Sequence, residues 1–312
     1  MAIFVVFALV VSSLHAGVAR QAQGAVPPGH PVVVPYVPER VYDTRRKTFS
    51  DFEVMLADLS RADVVMVGEQ HDDPNTHRLQ AALLQGLLRR GAAVTVSLEM
   101  FERDVQGVLD DYLAGRVGED ELLKNARPWP RYATDYRPLV EMARAHGWPV
   151  VASNVPRRFA ADVARSGLTA IEDLTPPDRL LVARELECPL DGYFQRFADT
   201  MGSHAVPGGK PAANGAEART ERYYYSQCLK DETMAESIVA AFDRQERRPN
   251  VVVHFTGAFH SDFVAGTTDR VRRRLPGRRV ATLSILPVQD IDTLSPGEED
   301  LARADYLVYT VK

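Results

Sequence analysis

The chain has 312 residues, 45% hydrophobic and 25% charged, the composition of an ordinary globular protein long enough for one large domain with insertions or for two domains. Lys plus Arg number 37 against 42 Asp plus Glu, a net charge of −5. The one basic cluster, Arg272, Arg273, Arg274, Arg278 and Arg279, has the pattern of a solvated helix end, so the basic footprint of a nucleic-acid binder is absent.

Residues 1–24 read as a signal peptide. Ile3 to Val11 is an unbroken apolar run, followed by small residues that offer cleavage after Ala19 or near Gly24. The run is too short for a comfortable membrane span, and no Lys or Arg precedes it. The expectation is an exported chain, periplasmic or secreted. It is soluble after cleavage, or anchored to the membrane by a signal that stays uncut. No cysteine lies near the signal to carry a lipid. In an oxidising compartment Cys188 and Cys228 could pair, or stay as two buried thiols. Residues 25–47, with Pro27, Pro28, Pro31, Pro35 and Pro38, read as an extended leader ahead of an α/β domain over 48–312.

A first helix is expected over Ser50 to Arg61, with Phe52, Met55, Leu56 and Leu59 on its apolar face. Val64 to Val67 is a short apolar run bounded by Gly68, which predicts a buried strand ending in Glu69 and His71. Asp73 and Pro74 open a helix whose stripe is Leu79, Leu83, Leu84, Leu87 and Leu88, and His77 falls on its surface. The unit then repeats. Ala93 to Leu98 is a strand ending in Glu99, with a helix from about Glu102. A short helix spans Asp120 to Asn125, a Pro-Trp-Pro turn surrounds Trp129, and a further helix runs from Pro138 to His146. Pro149 to Ala152 is a third strand ending in Ser153 and Asn154, and Pro156 opens its helix. Strands alternating with helices predict a mostly parallel β-sheet flanked by helices.

Residues 172–222 interrupt the alternation and read as a helical insertion or cap. A helix is expected from Pro176 to Glu187 and another from Tyr193 to Met201, with a Gly- and Pro-rich loop over 202–217. A long helix follows over Arg219 to Glu246, and Asp231 lies on its apolar stripe with Tyr225, Cys228, Ala235 and Ile238, an unusual place for an unpaired carboxylate. Asn250 to His254 is the fourth strand. A helix over Arg270 to Leu275 and strands at Ala281 to Leu286 and Tyr306 to Val311 complete the chain.

Strand ends of a parallel sheet share one edge, where ligands bind in open α/β folds. Glu69, His71, Glu99 and His260 are therefore expected to meet in one polar pocket, supported by Arg103, Asn154, Asp231 and His254. Arg103 lies four residues after Glu99 and is read as reaching back to it; His254, inside an apolar run, fits a core histidine as well. Glu69, His71, Glu99 and His260 suit a divalent metal ion or the acid/base pair of a hydrolase.

Several stretches resemble the ChaN-type haem-binding family: Val67-Gly-Glu-Gln-His-Asp72, Ser97-Leu-Glu-Met-Phe-Glu-Arg-Asp104, Tyr136-Arg-Pro, Ala152-Ser-Asn-Val-Pro-Arg157, Gln227-Cys-Leu-Lys-Asp-Glu-Thr-Met-Ala235 and His254-Phe-Thr-Gly-Ala-Phe-His260. Their order is the family's, over about residues 48–288. The resemblance implies an exported haem-binding protein of iron acquisition. It further implies a homodimer holding haem between its subunits, with outer-membrane or periplasmic uptake components as partners. Tyrosine is the implied haem ligand, with Tyr193, Tyr223, Tyr224 and Tyr225 as candidates. The family is also kin to Tiki/TraB proteases and erythromycin-esterase-like hydrolases, whose shared pattern matches Glu69, His71, Glu99 and His260. That kinship implies the alternative, a metal- or histidine-dependent esterase or protease.

Overall fold

The computed structural model describes residues 37–203, 216–244 and 250–312. The signal peptide, the leader up to residue 36 and most of the 202–217 loop lie outside the described residues.

Eight strands form one sheet in the order β2-β1-β8-β7-β3-β6-β4-β5. They are β1 (Glu39–Asp43), β2 (Thr48–Ser50), β3 (Val64–Glu69), β4 (Ala93–Glu102), β5 (Val150–Asn154), β6 (Asn250–Gly257), β7 (Val280–Val288) and β8 (Tyr306–Val311). The six strands from β8 to β5 run parallel, and β1 adds an antiparallel edge paired with β8 and β2. The sequence reading of an α/β fold with a mostly parallel sheet holds.

The central strands are buried on both faces, which is why they read as unbroken apolar runs. Along β3 the side chains alternate: Val65 and Val67 join the core formed with α1 (Phe52–Leu59), α2 (Pro74–Arg89), α3 (Gln106–Leu113), α4 (Glu119–Ala126), α5 (Tyr132–Asp135) and α6 (Arg137–His146), while Val64 and Met66 pack with Ala235 and Ile238 on the other face. Asp51 caps α1 by accepting from the Glu53 N–H, and Asp73 caps α2 by accepting from the Thr76 N–H, with Pro74 in the first turn. The opposite face is covered chiefly by α10 (Ala216–Asp243) and α11 (Thr267–Arg274), with α7 (Arg157–Ser166) and α9 (Gly192–Ser203) packed against α10 and α8 (Pro176–Arg179) tied to α7 by the Arg158–Asp178 ion pair.

Several expectations change. The leader does not run to residue 47, because Val41 and Asp43 are buried in β1, which lies in the sheet between β2 and β8. The expected helix from Pro176 to Glu187 is a single turn. Beyond it the Arg179 guanidinium donates to the carbonyls of Ala183 (2.7 Å) and Arg184 (2.9 Å), and Ala183 N–H donates to Thr233 Oγ1 of α10 (3.2 Å), so these backbone groups bond outside a helix. Cys188 and Cys228 form a disulfide that ties this segment to α10. The arginine cluster is only partly a solvated end: Glu232, fully buried on α10, accepts from Arg270 (2.9 Å) and Arg273 (3.2 Å) and also pairs with Arg274.

Candidate functional site

The polar residues gather at the C-terminal ends of β3, β4 and β6. Glu69 ends β3 with its side chain fully buried. Its Oε1 accepts from Tyr136 OH (2.7 Å) and lies 2.6 Å from His71 Nδ1, and its Oε2 accepts from Gln80 Nε2 (2.5 Å). A buried carboxylate with every oxygen engaged is the condition under which such a group is tolerated. Burial works to lower the pKa of His71, but the hydrogen bond to Glu69 and the charges of Glu99, Glu69 and Asp72 prevail and raise it. The edge of the His71 ring lies against Gly257, where a Cβ would sit 2.6 Å from Nε2. Trp129 meets the ring edge-on at 5.0 Å.

Glu99 belongs to β4, where the pairing with β5 shifts register between Leu98 and Glu102. It accepts from Thr256 Oγ1 (2.6 Å) and the Gly257 N–H (2.8 Å) at the end of β6. Burial alone would raise its pKa; the charges of His260 and His71 and these two donors hold it at about 2.

His260 sits in the one-turn 3-10 helix after β6, 5% exposed. Its Nδ1 lies 2.7 Å from Asp231 Oδ1, and its Nε2 lies 3.5 Å from Glu99 Oε1 and 3.0 Å from the Gln227 amide. Asp231, fully buried on α10, also accepts from Tyr193 OH (2.8 Å) and Thr267 Oγ1 (2.8 Å). Burial opposes ionisation of Asp231, yet the charge and hydrogen bond of His260 lower its pKa; the pKa of His260 is raised in turn, the charges of Glu99 and Asp231 outweighing burial. Two imidazoles, each backed by its own carboxylate, thus flank Glu99. Such pairs can donate and accept protons within one pocket.

The cavity they open into has a volume of about 760 Å3. His71, Glu99, Asn154 and His260 line it, with Trp129, Phe259 and Phe263 as aromatic wall and Arg196, Lys230 and Arg303 as cations. Asn154 also donates to the Glu99 carbonyl (3.1 Å).

Other candidates lie elsewhere. Arg103 does not reach Glu99: four residues of strand carry it about 13 Å along, and it donates instead to Ser237 Oγ (2.8 Å), Glu236 (3.0 Å) and the Thr233 carbonyl (2.8 Å). His254 is mid-strand because β6 runs on to Gly257. It is fully buried against Ser97 Oγ (2.9 Å), outside the cavity lining, and burial drives its pKa to about 3, so it is a neutral core histidine. Asp231, by contrast, is part of the site and finds its partner in His260. His77 is buried, not on the surface, with Nδ1 3.1 Å from Gln80 Oε1 and Nε2 3.3 Å from Asp135.

Among the tyrosines, Tyr193 is committed to Asp231 and buried, Tyr224 is fully buried with its hydroxyl donating to the Pro189 carbonyl (2.7 Å), and Tyr225 packs half-buried beside Leu229. Tyr223 is the exposed one, at 39%. The metal alternative finds no support: among the described residues no three His, Cys, Asp or Glu side chains are placed to hold an ion. The oxygens of Glu69 and Glu99 are instead turned to hydroxyl, amide and backbone donors.

Gln80 and Tyr136, which fix Glu69, were not anticipated as site residues. Gln80 had a signal, since it falls four after Thr76 and four before Leu84 on the buried face of α2, where a polar side chain needs a partner.

A family model described as haem-binding uptake, Tiki superfamily, ChaN matches residues 55–271. The solved structure on cofacial heme binding to ChaN of Campylobacter jejuni superposes with a TM-score of 0.63 at 17% identity, covering 88% of this chain and 97% of that one, which is a likeness of fold. A structure of the erythromycin esterase EreC gives a TM-score of 0.45 at 14% identity over 88% of this chain and 83% of that one. Protein RETICULATA-RELATED 5, chloroplastic, of Arabidopsis thaliana is 24% identical over 268 residues, 81% of this chain; the chain spans about a third of that relative's length, 34%.

Proposed function

This chain belongs to the ChaN family of the haem-binding uptake, Tiki superfamily, and from that premise we propose that it binds haem at the cavity beyond the ends of β3, β4 and β6, as an exported carrier in iron acquisition. One observation carries the placement. Tyr223, Gln227 and Lys230 are spaced i, i+4 and i+7 on α10, hence on one helix face. Gln227 and Lys230 line the cavity, and Tyr223 extends that face one turn further as an exposed phenol. The residues fit the group: a free phenol of the type that ligates haem iron, an aromatic wall for the macrocycle and cations for its acidic arms. Haem supplies the iron that an uptake protein carries; Tyr223 would hold it, Trp129 and Phe263 would shield its faces from water.

Export is supported by the apolar run from Ile3 to Val11. A homodimer is supported by exposed apolar side chains: of the six large ones among the described residues, Leu180, Leu190, Met201 and Tyr223 fall within 180–223. Titration of the purified mature chain with hemin is the test. A saturable Soret shift, lost in Tyr223→Phe and kept in Tyr224→Phe, supports this function and this ligand. No saturable binding overturns it.

A second function, a histidine-based hydrolase, is favoured by the two imidazole–carboxylate pairs flanking Glu99. His71 would act as acid and base toward substrate, with Glu69 positioning it. Turnover of an ester or peptide panel that disappears in Glu69→Gln and His71→Ala supports it, and a wild-type chain inert toward the whole panel removes it.

A further inference from the structure

Resting on the haem function above, we propose that Arg196 and Lys230 form a carboxylate-recognition pair in the cavity, which selects a porphyrin bearing free acid groups over the same porphyrin with its acids esterified.

The charges that line the cavity are mostly consumed by one another. Glu69 holds His71 (2.6 Å), Glu99 lies against His260 (3.5 Å), and Asp262 and Glu299 both engage Arg303 (2.7 and 3.3 Å). What is left is Arg196 on α9, Lys230 on α10 and the exposed Asp199, which accepts from Gln195 Nε2 (2.9 Å). Among the described residues no carboxylate lies within ion-pair distance of Arg196 or Lys230. Two half-buried cations from different helices therefore face one cavity unpaired, an arrangement that an anionic ligand completes.

Their surroundings aim them. The Arg196 guanidinium stacks 4.5 Å above the Phe263 ring, which fixes its plane and leaves its N–H edge for a planar carboxylate. Phe263 is held there by a backbone that is costly for non-glycine residues, with φ of 61° at Phe263 and 54° at Val264. Strain retained beside a cavity points to a side chain whose position matters. Lys230, a flexible point charge, lies close enough to His260 to oppose its protonation. It is seven residues along α10 from Tyr223, a rise of about 10 Å. That separates an iron ligand from an acid-group partner on a single helix face, as a metal centred in a macrocycle with peripheral carboxylates requires.

The test titrates the full mature chain, and its Arg196→Gln, Lys230→Gln and double variants, with hemin and with hemin dimethyl ester. Wild type is expected to bind hemin more tightly than the ester. Each neutralised cation should weaken hemin binding about tenfold, the worth of one charge-assisted hydrogen bond, and leave ester binding unchanged. Arg196→Lys, which keeps the charge, should retain part of the preference. Equal binding of the two compounds by wild type, or equal weakening of both by the variants, overturns the recognition pair while the haem function stands. Binding of neither compound overturns both.

Discussion

Replacing Gly257 with alanine tests how the His71–Glu69 pair is held. The backbone there is extended, with φ −56° and ψ 140°, so alanine fits it without strain. The added methyl is the whole perturbation. Its position lies 2.6 Å from His71 Nε2 and 2.9 Å from Cε1, whereas ordinary contact begins near 3.4 Å, so the ring must retreat by 3.4 − 2.6, about 0.8 Å. A shift of that size stretches the 2.6 Å contact between His71 Nδ1 and Glu69 beyond the hydrogen-bond range. The His71 side chain is 46% exposed, so solvent screens the pair to about 1 kcal/mol, and Gly257→Ala should lose that much stability in urea unfolding at pH 6. Because Glu69 raises the His71 pKa, the pair stabilises the fold fully below the unfolded imidazole value, and its contribution fades as pH rises through the folded value. The deficit of the variant should therefore shrink toward pH 9, and the ring-proton NMR titration of His71 should move down in pH. Gly107→Ala, where nothing lies within 4 Å, is the control and should be neutral or mildly stabilising. An unchanged His71 titration and unchanged stability in Gly257→Ala would refute the packing on which the site rests.

Other perturbations read other parts of the molecule. Glu99 titrates at about 2 instead of 4.5, so its ionised form supplies about 3 kcal/mol that is present above pH 4.5 and lost as pH falls to 2; Glu99→Gln should flatten acid unfolding in that window, and an unchanged acid limb would contradict the charge assignment. The Cys188–Cys228 bridge closes a loop of sequence separation 40, worth about 4 kcal/mol of chain entropy, so Cys188→Ala with Cys228→Ala should lower the urea midpoint accordingly, and the oxidised wild type should lose the same on reduction. Arg270, 4% exposed and bonded to fully buried Glu232 at 2.9 Å, should cost about 3–5 kcal/mol when changed to Met; a loss under 1 kcal/mol would mean that Arg273 and Arg274 neutralise Glu232 unaided.

The amino-acid sequence by itself determined the parallel sheet and the edge on which the site lies. The reason is local: an apolar run stopped by Gly68, a cap at Asp73 and a stripe of leucines specify a strand, a turn and a helix without reference to the rest of the chain. The end of each such strand then places Glu69 and Glu99 at the sheet's C-terminal edge, and the short turn after β6 places His260 beside them. What tertiary structure alone decided is which group each of these faces. Asp231 meets His260 across 29 residues, Tyr136 meets Glu69 across 67, and Glu99 meets Thr256 across 157. Such pairs are set by how helices dock on the sheet, and no local pattern encodes that. For the same reason Arg103, only four residues from Glu99, turned to α10, and β1 joined the sheet only because β8 offered it an edge. Glu69 and His71 began as the end of one strand; the fold made them half of a paired arrangement, with Asp231 and His260 as the other half and Glu99 between.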